Sequence, residues 1–169
     1  MRRLQFALAV VAATTALQAA GQAAPGANFT DMWWAGPQED GWGLSFVQHS
    51  PSNKAFAVWY TYDPRAPDTT TAATTDFVPL WFAMPDCRWT TPLACSGELY
   101  VTIGSPYGAA WNPAVHDAKP VGTYAFNFTG ANSGAFTYSV VVPAGLPSTD
   151  PRFGLPAFAG VKTITRQPF

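Results

Sequence analysis

The chain has 169 residues, of which 48% are hydrophobic, 15% aromatic and only 11% charged, and its formal net charge is −1. Its 16 prolines and 14 glycines argue against long helices, because both residue types destabilise a helix interior. No block of basic residues is present, which argues against nucleic acid and anionic membrane surfaces as partners.

The N-terminus has the three parts of a secretory signal peptide. A positively charged start, Met1–Arg3, precedes a short apolar run, Leu4–Leu17, and small residues up to Ala23. The apolar run is shorter than the roughly 20 residues that a membrane-spanning helix needs. We therefore expect a leader over residues 1–23, cleaved after Ala23 or, as the alternative, after Gly21.

The expected mature chain, residues 24–169, is long enough for a single domain. Loss of the two leader arginines leaves seven basic against ten acidic residues, a net charge near −3. We expect the domain to be exported, to the periplasm or to the cell exterior, and predict no membrane span in it.

One stretch, Asp31–His49, is denser in distinctive residues than any other part of the chain. It holds three tryptophans and two adjacent acids: Trp33, Trp34, Trp42, Glu39 and Asp40. Its Gly-Pro pair predicts a turn. From Gly41 onward the residues alternate as in a strand, with bulky residues on one face and small ones on the other.

Alternation of apolar and polar residues predicts six further strands after this one. They cover Lys54–Tyr62, Leu80–Met84, Gly97–Ile103, Gly122–Thr129, Ala135–Val142 and Gly160–Arg166. Short strands joined by turns indicate an all-β antiparallel meander of about seven to eight strands. Because closure removes exposed sheet edges, we expect a small closed or partly open barrel, with a β-sandwich as the alternative.

The two cysteines, Cys87 and Cys95, lie close together in the expected exported part. In an oxidising compartment such a pair predicts a disulfide that closes a short loop. The alternative is a metal or redox pair. A metal site would need more histidine or cysteine than the chain offers, since His49 and His116 are its only histidines. No metal or cofactor is predicted.

The seven tryptophans are the clearest functional signal. Three of them lie in predicted strands and are expected in the core: Trp42, Trp59 and Trp81. Four lie in predicted turns and loops: Trp33, Trp34, Trp89 and Trp111. A loop tryptophan can cap a barrel end, or it can offer a flat face on which a sugar ring stacks.

These observations lead to a first hypothesis, an exported non-enzymatic binding module for a glycan or another cell-envelope ligand. Trp33, Trp34 and Trp111 would be the stacking groups, and Glu39 and Gln48 would supply polar specificity. The site would lie at one end of the barrel.

Two alternatives belong to other functional classes. The chain could be an envelope structural or assembly protein that binds a protein partner through long loops or sheet edges. It could also be a glycan hydrolase that uses Glu39. Adjacent residues such as Glu39 and Asp40 point to opposite faces of an extended chain, so they cannot simply form the carboxylate pair, about 5–9 Å apart, of sugar hydrolysis. His116 and Asp117 lack a serine in a nucleophile elbow to complete a triad.

The motif D-x-W-W-x-x-P-x-E-x-G-W-G at Asp31–Gly43 resembles that of an uncharacterised family of exported bacterial β domains. The resemblance continues at four strand segments and ends at Ile164–Gln167; the segments are Trp59–Asp63, Pro79–Trp81, Gly97–Tyr100 and Gly134–Tyr138. It implies an exported β domain and no established activity. The chain departs from the family pattern at two long insertions, Asp63–Asp76 and Pro143–Ala157.

Overall fold

A computed structural model describes residues 22–65 and 78–169. Within these ranges the chain forms eight strands: β1 (Asp31–Trp34), β2 (Gly43–His49), β3 (Lys54–Tyr62), β4 (Pro79–Thr91), β5 (Ala94–Ile103), β6 (Asp117–Gly130), β7 (Ser133–Val140) and β8 (Phe158–Arg166). Neighbours along the chain pair antiparallel, and β8 also pairs with β1. The prediction of an all-β meander that closes into a small barrel is confirmed, and the sandwich alternative is wrong.

The leader predicted over residues 1–23 lies almost entirely outside the described residues, so it stays a prediction. Most of the predicted link Asp63–Asp76 lies outside them as well. Within the described ranges, no helix has the length and apolar character needed to cross a membrane.

The connections divide the barrel into two unlike ends. Turns of two to four residues join β2 to β3, β4 to β5 and β6 to β7 at one end, called here the closed end. The strand ends that the four longer connections join all lie at the opposite end, called here the open end: 34 and 43, 62 and 79, 103 and 117, and 140 and 158. Loops with room for function therefore share one rim.

Inward-facing aromatic side chains fill the barrel along its axis. An aromatic column runs from the closed end toward the open end through Phe29, Phe128, Phe126, Phe136, Trp59 and Tyr138. Successive ring centroids lie 3.9, 5.8, 5.2, 5.3 and 4.6 Å apart. Most of these separations fall where aromatic pairs add stabilisation beyond the area that they bury. An eight-stranded barrel is just wide enough for such a filling.

The segment before β1 covers the closed end. The backbone N–H of Gly26 donates to the Pro92 carbonyl at 2.7 Å, and that of Ala23 donates to the Trp89 carbonyl at 3.2 Å. Phe29 is fully buried and stacks on the column. The bottom of the barrel is therefore sealed by the chain's own N-terminal segment.

Strand β1 closes the barrel, although the sequence predicts part of a turn there. It pairs with β8 at only two positions, Trp33 with Arg166 and Trp34 with Thr165. Charged side chains reinforce this short seam. Arg166 binds Asp31 at 2.5 Å and lies 5.1 Å from the Trp33 ring centroid, and Lys162 binds Glu39.

Strand β4 continues past its predicted end at Met84 through an irregularity in its pairing with β3. Asp86 takes the left-handed backbone conformation there, with φ of 58°, and this accommodates a change of direction beside Pro85. The predicted cysteine loop is therefore mostly paired strand. Cys87 and Cys95 form the predicted disulfide between β4 and β5, with Cα atoms 5.4 Å apart.

The closeness of β6 and β7 at Gly122 predicts that Gly122→Ala destabilises the fold. A Cβ atom there would lie 1.8 Å from the carbonyl oxygen of Ser139, which is backbone and cannot rotate away. We expect a loss of about 2 kcal/mol or more in the free energy of unfolding, measured in urea. Gly130→Ala is the matched control on β6, since its Cβ would meet only Ser133 Oγ at 3.5 Å. Equal stability of the two variants would contradict the prediction.

Removal of the disulfide should weaken the fold without abolishing it. The bridge joins residues only eight apart in sequence, so it restricts the unfolded chain little. The stabilisation that it adds should therefore lie near the low end of the range for disulfides, about 2 kcal/mol. Urea unfolding with and without a reductant measures the difference. An unchanged unfolding midpoint in reductant would show that the bridge adds no stability.

Candidate functional site

A cavity of about 360 Å³ opens at the open end of the barrel, where the aromatic column stops. Five of the residues that line it are aromatic: Trp42, Trp59, Tyr62, Tyr138 and Phe158. Three charged residues line it as well: Glu39, Asp40 and Lys162. The cavity thus combines apolar ring faces with a few polar groups, as small-molecule sites do.

The floor of the cavity is the upper part of the aromatic column. Trp59 and Tyr138 pack with ring centroids 4.6 Å apart. Tyr138 is paired directly with Gly160 of β8, and a Cβ atom at Gly160 would lie 2.6 Å from the Tyr138 hydroxyl. The absence of a side chain at Gly160 therefore leaves room for the Tyr138 ring to lie against β8.

Glu39 reaches the cavity from the loop between β1 and β2. A short 3-10 turn, Pro37–Glu39, precedes Trp42, which is the last residue before β2. The Glu39 carboxylate accepts a hydrogen bond from the Trp42 indole N–H at 3.2 Å and binds the ammonium of Lys162. Lys162 shares the inward face of β8 with the buried Ile164, which explains why a lysine enters the mouth of the barrel.

The ion pair shifts the pKa of both partners. The hydrogen bond from Lys162 lowers the pKa of Glu39, and burial opposes this only in part. The same hydrogen bond raises the pKa of Lys162. The Lys162 ammonium also lies 5.9 Å from the Trp42 ring centroid, within the range of a cation–π contact. Glu39, Trp42 and Lys162 therefore form one charged cluster on the wall of the cavity.

One polar group in the cavity wall lacks a partner. The indole N–H of Trp59 is buried and has no acceptor among the described residues. Buried donors are nearly always hydrogen-bonded in folded proteins. The nitrogen atom has almost no accessible surface, so a molecule in the cavity does not reach this donor as the structure stands.

Of the five predicted ligand-binding residues, Glu39 is the one that lines the cavity. Trp33 was expected in an exposed turn, but it lies in β1 with no exposed surface, and its indole N–H donates to the Phe29 carbonyl at 3.0 Å. The stacking role predicted for Trp33 is therefore wrong. Trp34 also belongs to β1, where it pairs with Thr165, and it is partly buried outside the cavity lining.

Gln48 lies at the other end of the barrel from Glu39. Six residues of extended chain separate Gln48 from Trp42, a distance of about 20 Å. Its side chain accepts from the N–H of Phe29 and donates to the Ala27 carbonyl at 3.2 Å. Gln48 thus holds the segment that seals the closed end, and its predicted place beside Glu39 is wrong.

Trp111 does lie at the open end, as predicted, but on a different loop from the cavity. It is 63% exposed and its ring packs 5.4 Å from that of His116. Trp89, the fourth tryptophan assigned to a loop, faces the core from β4. The exposed ring of Trp111 therefore stays a candidate by prediction, separate from the cavity.

The sequence predicts Trp42, Trp59 and Trp81 in the core and gives no role to Tyr138 or Lys162. The prediction for Trp81 is wrong, because its side chain is 52% exposed on the outer face of β4. The one sequence signal for Lys162 was a charged residue at an inward position of the strand Gly160–Arg166. Among residues 22–65 and 78–169, no three histidine, cysteine or acidic side chains cluster as metal ligands would.

Comparisons with protein-family models, with curated proteins and with solved structures found no match. The resemblance to a family of exported β domains stays a prediction from the motif. Function is therefore inferred from the chemistry of the open end.

The charged cluster predicts the titration of Glu39. Its carboxyl should titrate below the ordinary value of 4.5 in the folded protein, as followed by NMR of the side-chain carbon. The pKa of Glu39 is lower in the folded than in the unfolded protein. The ion pair therefore stabilises the loop fully at pH values above the unfolded pKa, and this stabilisation is lost as the pH falls through the folded pKa. Lys162→Met should raise the midpoint toward 4.5, whereas Lys119→Met, which removes a distant charge, should not. A midpoint insensitive to Lys162→Met would refute the pairing.

Proposed function

We propose that this protein is an exported, non-enzymatic binding module that takes a glycan or another cell-envelope ligand into the cavity at its open end. The observation that carries the proposal is the cavity itself, with five aromatic rings and three charged side chains at the point where the core filling stops. Aromatic walls stack on the apolar faces of sugar rings, and the polar groups orient them.

The size of the cavity supports a small ligand or one end of a longer chain. Ligand pockets usually span roughly 300–1,000 Å³, and about 360 Å³ lies near the lower limit. A barrel of eight strands has room for one small ligand at most. One or two sugar rings therefore fit better than an extended stretch of polymer.

The state of Glu39 favours binding over hydrolysis. A glycosidase needs one carboxylic acid with a raised pKa to protonate the leaving group. The pKa of Glu39 is lowered instead, because Lys162 and Trp42 both donate to its carboxylate. Glu39 is therefore suited to holding a charge or accepting a hydrogen bond and is a poor proton donor.

Export is part of the proposal and has two supports. The first is the leader-like composition of residues 1–23. The second is the Cys87–Cys95 disulfide, because such bonds persist in oxidising compartments outside the cytosol. A periplasmic or extracellular protein would meet cell-envelope glycans directly.

A second candidate function, an envelope assembly protein, is favoured by a different surface. The outer face of β2–β4 carries large side chains that are about half exposed, among them Phe56, Tyr60 and Trp81 at 48%, 46% and 52%. Tyr60 and Trp81 are directly paired across the strands. Neighbouring outward residues, such as Ser45, Val47 and Val58, are uncharged. A protein partner there would have to present an apolar, uncharged surface.

Binding in the cavity predicts that Trp42→Ala weakens association with a β-1,4-linked oligosaccharide by about tenfold or more, because the variant removes a wall of the site. The intrinsic tryptophan emission of the folded domain, followed during titration, measures the affinity. Trp111→Ala removes an exposed tryptophan of the same rim that does not line the cavity, and it should bind like the unmodified protein.

Near-ultraviolet circular dichroism of each variant checks that the barrel keeps its packing. A panel of neutral, basic and acidic oligosaccharides that leaves the emission unchanged would contradict the proposal. Loss of binding in Trp111→Ala together with full binding in Trp42→Ala would move the site from the cavity to the neighbouring loop.

A further inference from the structure

We infer that the cavity selects a sugar that carries a positively charged amine, an amino sugar with a free ammonium group, over the corresponding neutral, N-acetylated or acidic sugar. This inference rests on the proposed function, since it names the chemical class of ligand for the same site. Three features of the open end carry it: the net charge, the ring of Trp42, and the apolar ring faces of Trp59, Tyr138 and Phe158.

The residues that line the cavity carry a negative net charge. Glu39 and Lys162 compensate each other through their ion pair. Next to the cavity wall, Asp63 and Arg65 compensate each other in the same way, at 2.5 Å. Asp40 lines the cavity and is exposed. Within the described residues it makes no ion pair, and its carboxylate accepts a hydrogen bond only from the N–H of Gly41, at 3.0 Å.

A cation entering the cavity therefore meets an uncompensated carboxylate. An acidic sugar would meet Asp40 as a like charge, and the one ammonium it could use, on Lys162, is already bound by Glu39. A neutral sugar would gain nothing from Asp40 beyond a hydrogen bond. The charge at the rim thus distinguishes the three classes of sugar.

The wall of the cavity already holds an ammonium group of the protein. The Lys162 ammonium binds a carboxylate and lies 5.9 Å from the Trp42 ring centroid. A carboxylate beside an aromatic face is the arrangement that stabilises ammonium ligands. Asp40 and the rings of Trp42 and Tyr62, which line the same cavity, offer a second cation the same combination.

The remaining wall suits the sugar ring that would carry the amine. Trp59, Tyr138 and Phe158 provide apolar faces for its C–H groups. A simple alkylamine would use Asp40 but would leave these ring faces uncovered.

The test uses three β-1,4-linked tetrasaccharides that differ only in the group at C2 of each ring: a free amine, an N-acetyl group or a hydroxyl. Calorimetric titration of the full domain, at a pH below the pKa of the sugar amine and at low salt, measures each affinity. We expect the amine form to bind about tenfold more tightly than the other two. The preference should shrink as salt screens Asp40, which is exposed.

Asp40→Asn should bring the ratio of the amine and hydroxyl affinities close to one. Asp117→Asn changes the net charge by the same amount at the first residue of β6, which is also at the open end. Asp117 pairs with Lys119 at 3.1 Å and does not line the cavity. That variant should keep the tenfold ratio. Circular dichroism checks that both variants fold.

The outcomes separate this inference from the proposed function. If none of the three tetrasaccharides binds, both are wrong. If they bind with equal affinity, or if the N-acetyl or hydroxyl form binds best, the cavity binds glycans but the inference is wrong. An unchanged preference in Asp40→Asn, or the same loss in Asp117→Asn, would also overturn it, because the selectivity would then not come from Asp40.

Discussion

The filling of the barrel by aromatic rings decides where this molecule can hold a ligand. From Phe29 to Tyr138 the rings pack in stacked, tilted and edge-on pairs with centroids 3.9–5.8 Å apart, so the lower barrel has no space for another molecule. The segment that carries Phe29 seals the closed end. At the open end the column stops, and the inward positions of β8 change from an apolar side chain at Ile164 to a charged one at Lys162. The cavity is the unfilled top layer of the core, and its floor is made of core residues.

The seam between β1 and β8 gives the tryptophan-rich motif a structural role besides any functional one. Only two residue pairs join these strands, which is few for the closure of a barrel. Two acids of the motif add ion pairs across the seam, Asp31 with Arg166 near the closed end and Glu39 with Lys162 near the open end. Two tryptophans of the motif lie beside the same cations, Trp33 beside Arg166 and Trp42 beside Lys162. The motif therefore closes the barrel, and its upper half also forms the wall of the cavity.

This double role constrains how the site can work. Glu39 and Lys162 are partly exposed, so their attraction is weakened by water and salt and adds little to global stability. It does fix the position of the loop that carries Asp40 and Trp42. The cavity is thus present without a ligand, and under the proposed function the two compensated charges leave Asp40 to set its preference. A preformed site of this kind favours recognition, since its groups need no ordering on binding.

Local pattern by itself determined the fold class, most of the strands and the disulfide. Period-2 alternation is a property of neighbouring residues, and two cysteines eight residues apart can meet through a single hairpin. Local pattern did not predict β1, because a strand of four residues is too short to show alternation. It also did not predict the end of β4, which continues through an irregularity at Asp86. Only the tertiary structure decided which tryptophans are buried and what surrounds Glu39. Lys162 lies 123 residues from Glu39, and their contact depends on the closure of β8 onto β1. Gln48 and Glu39 are near in sequence yet lie at opposite ends, because an extended strand carries the chain the length of the barrel.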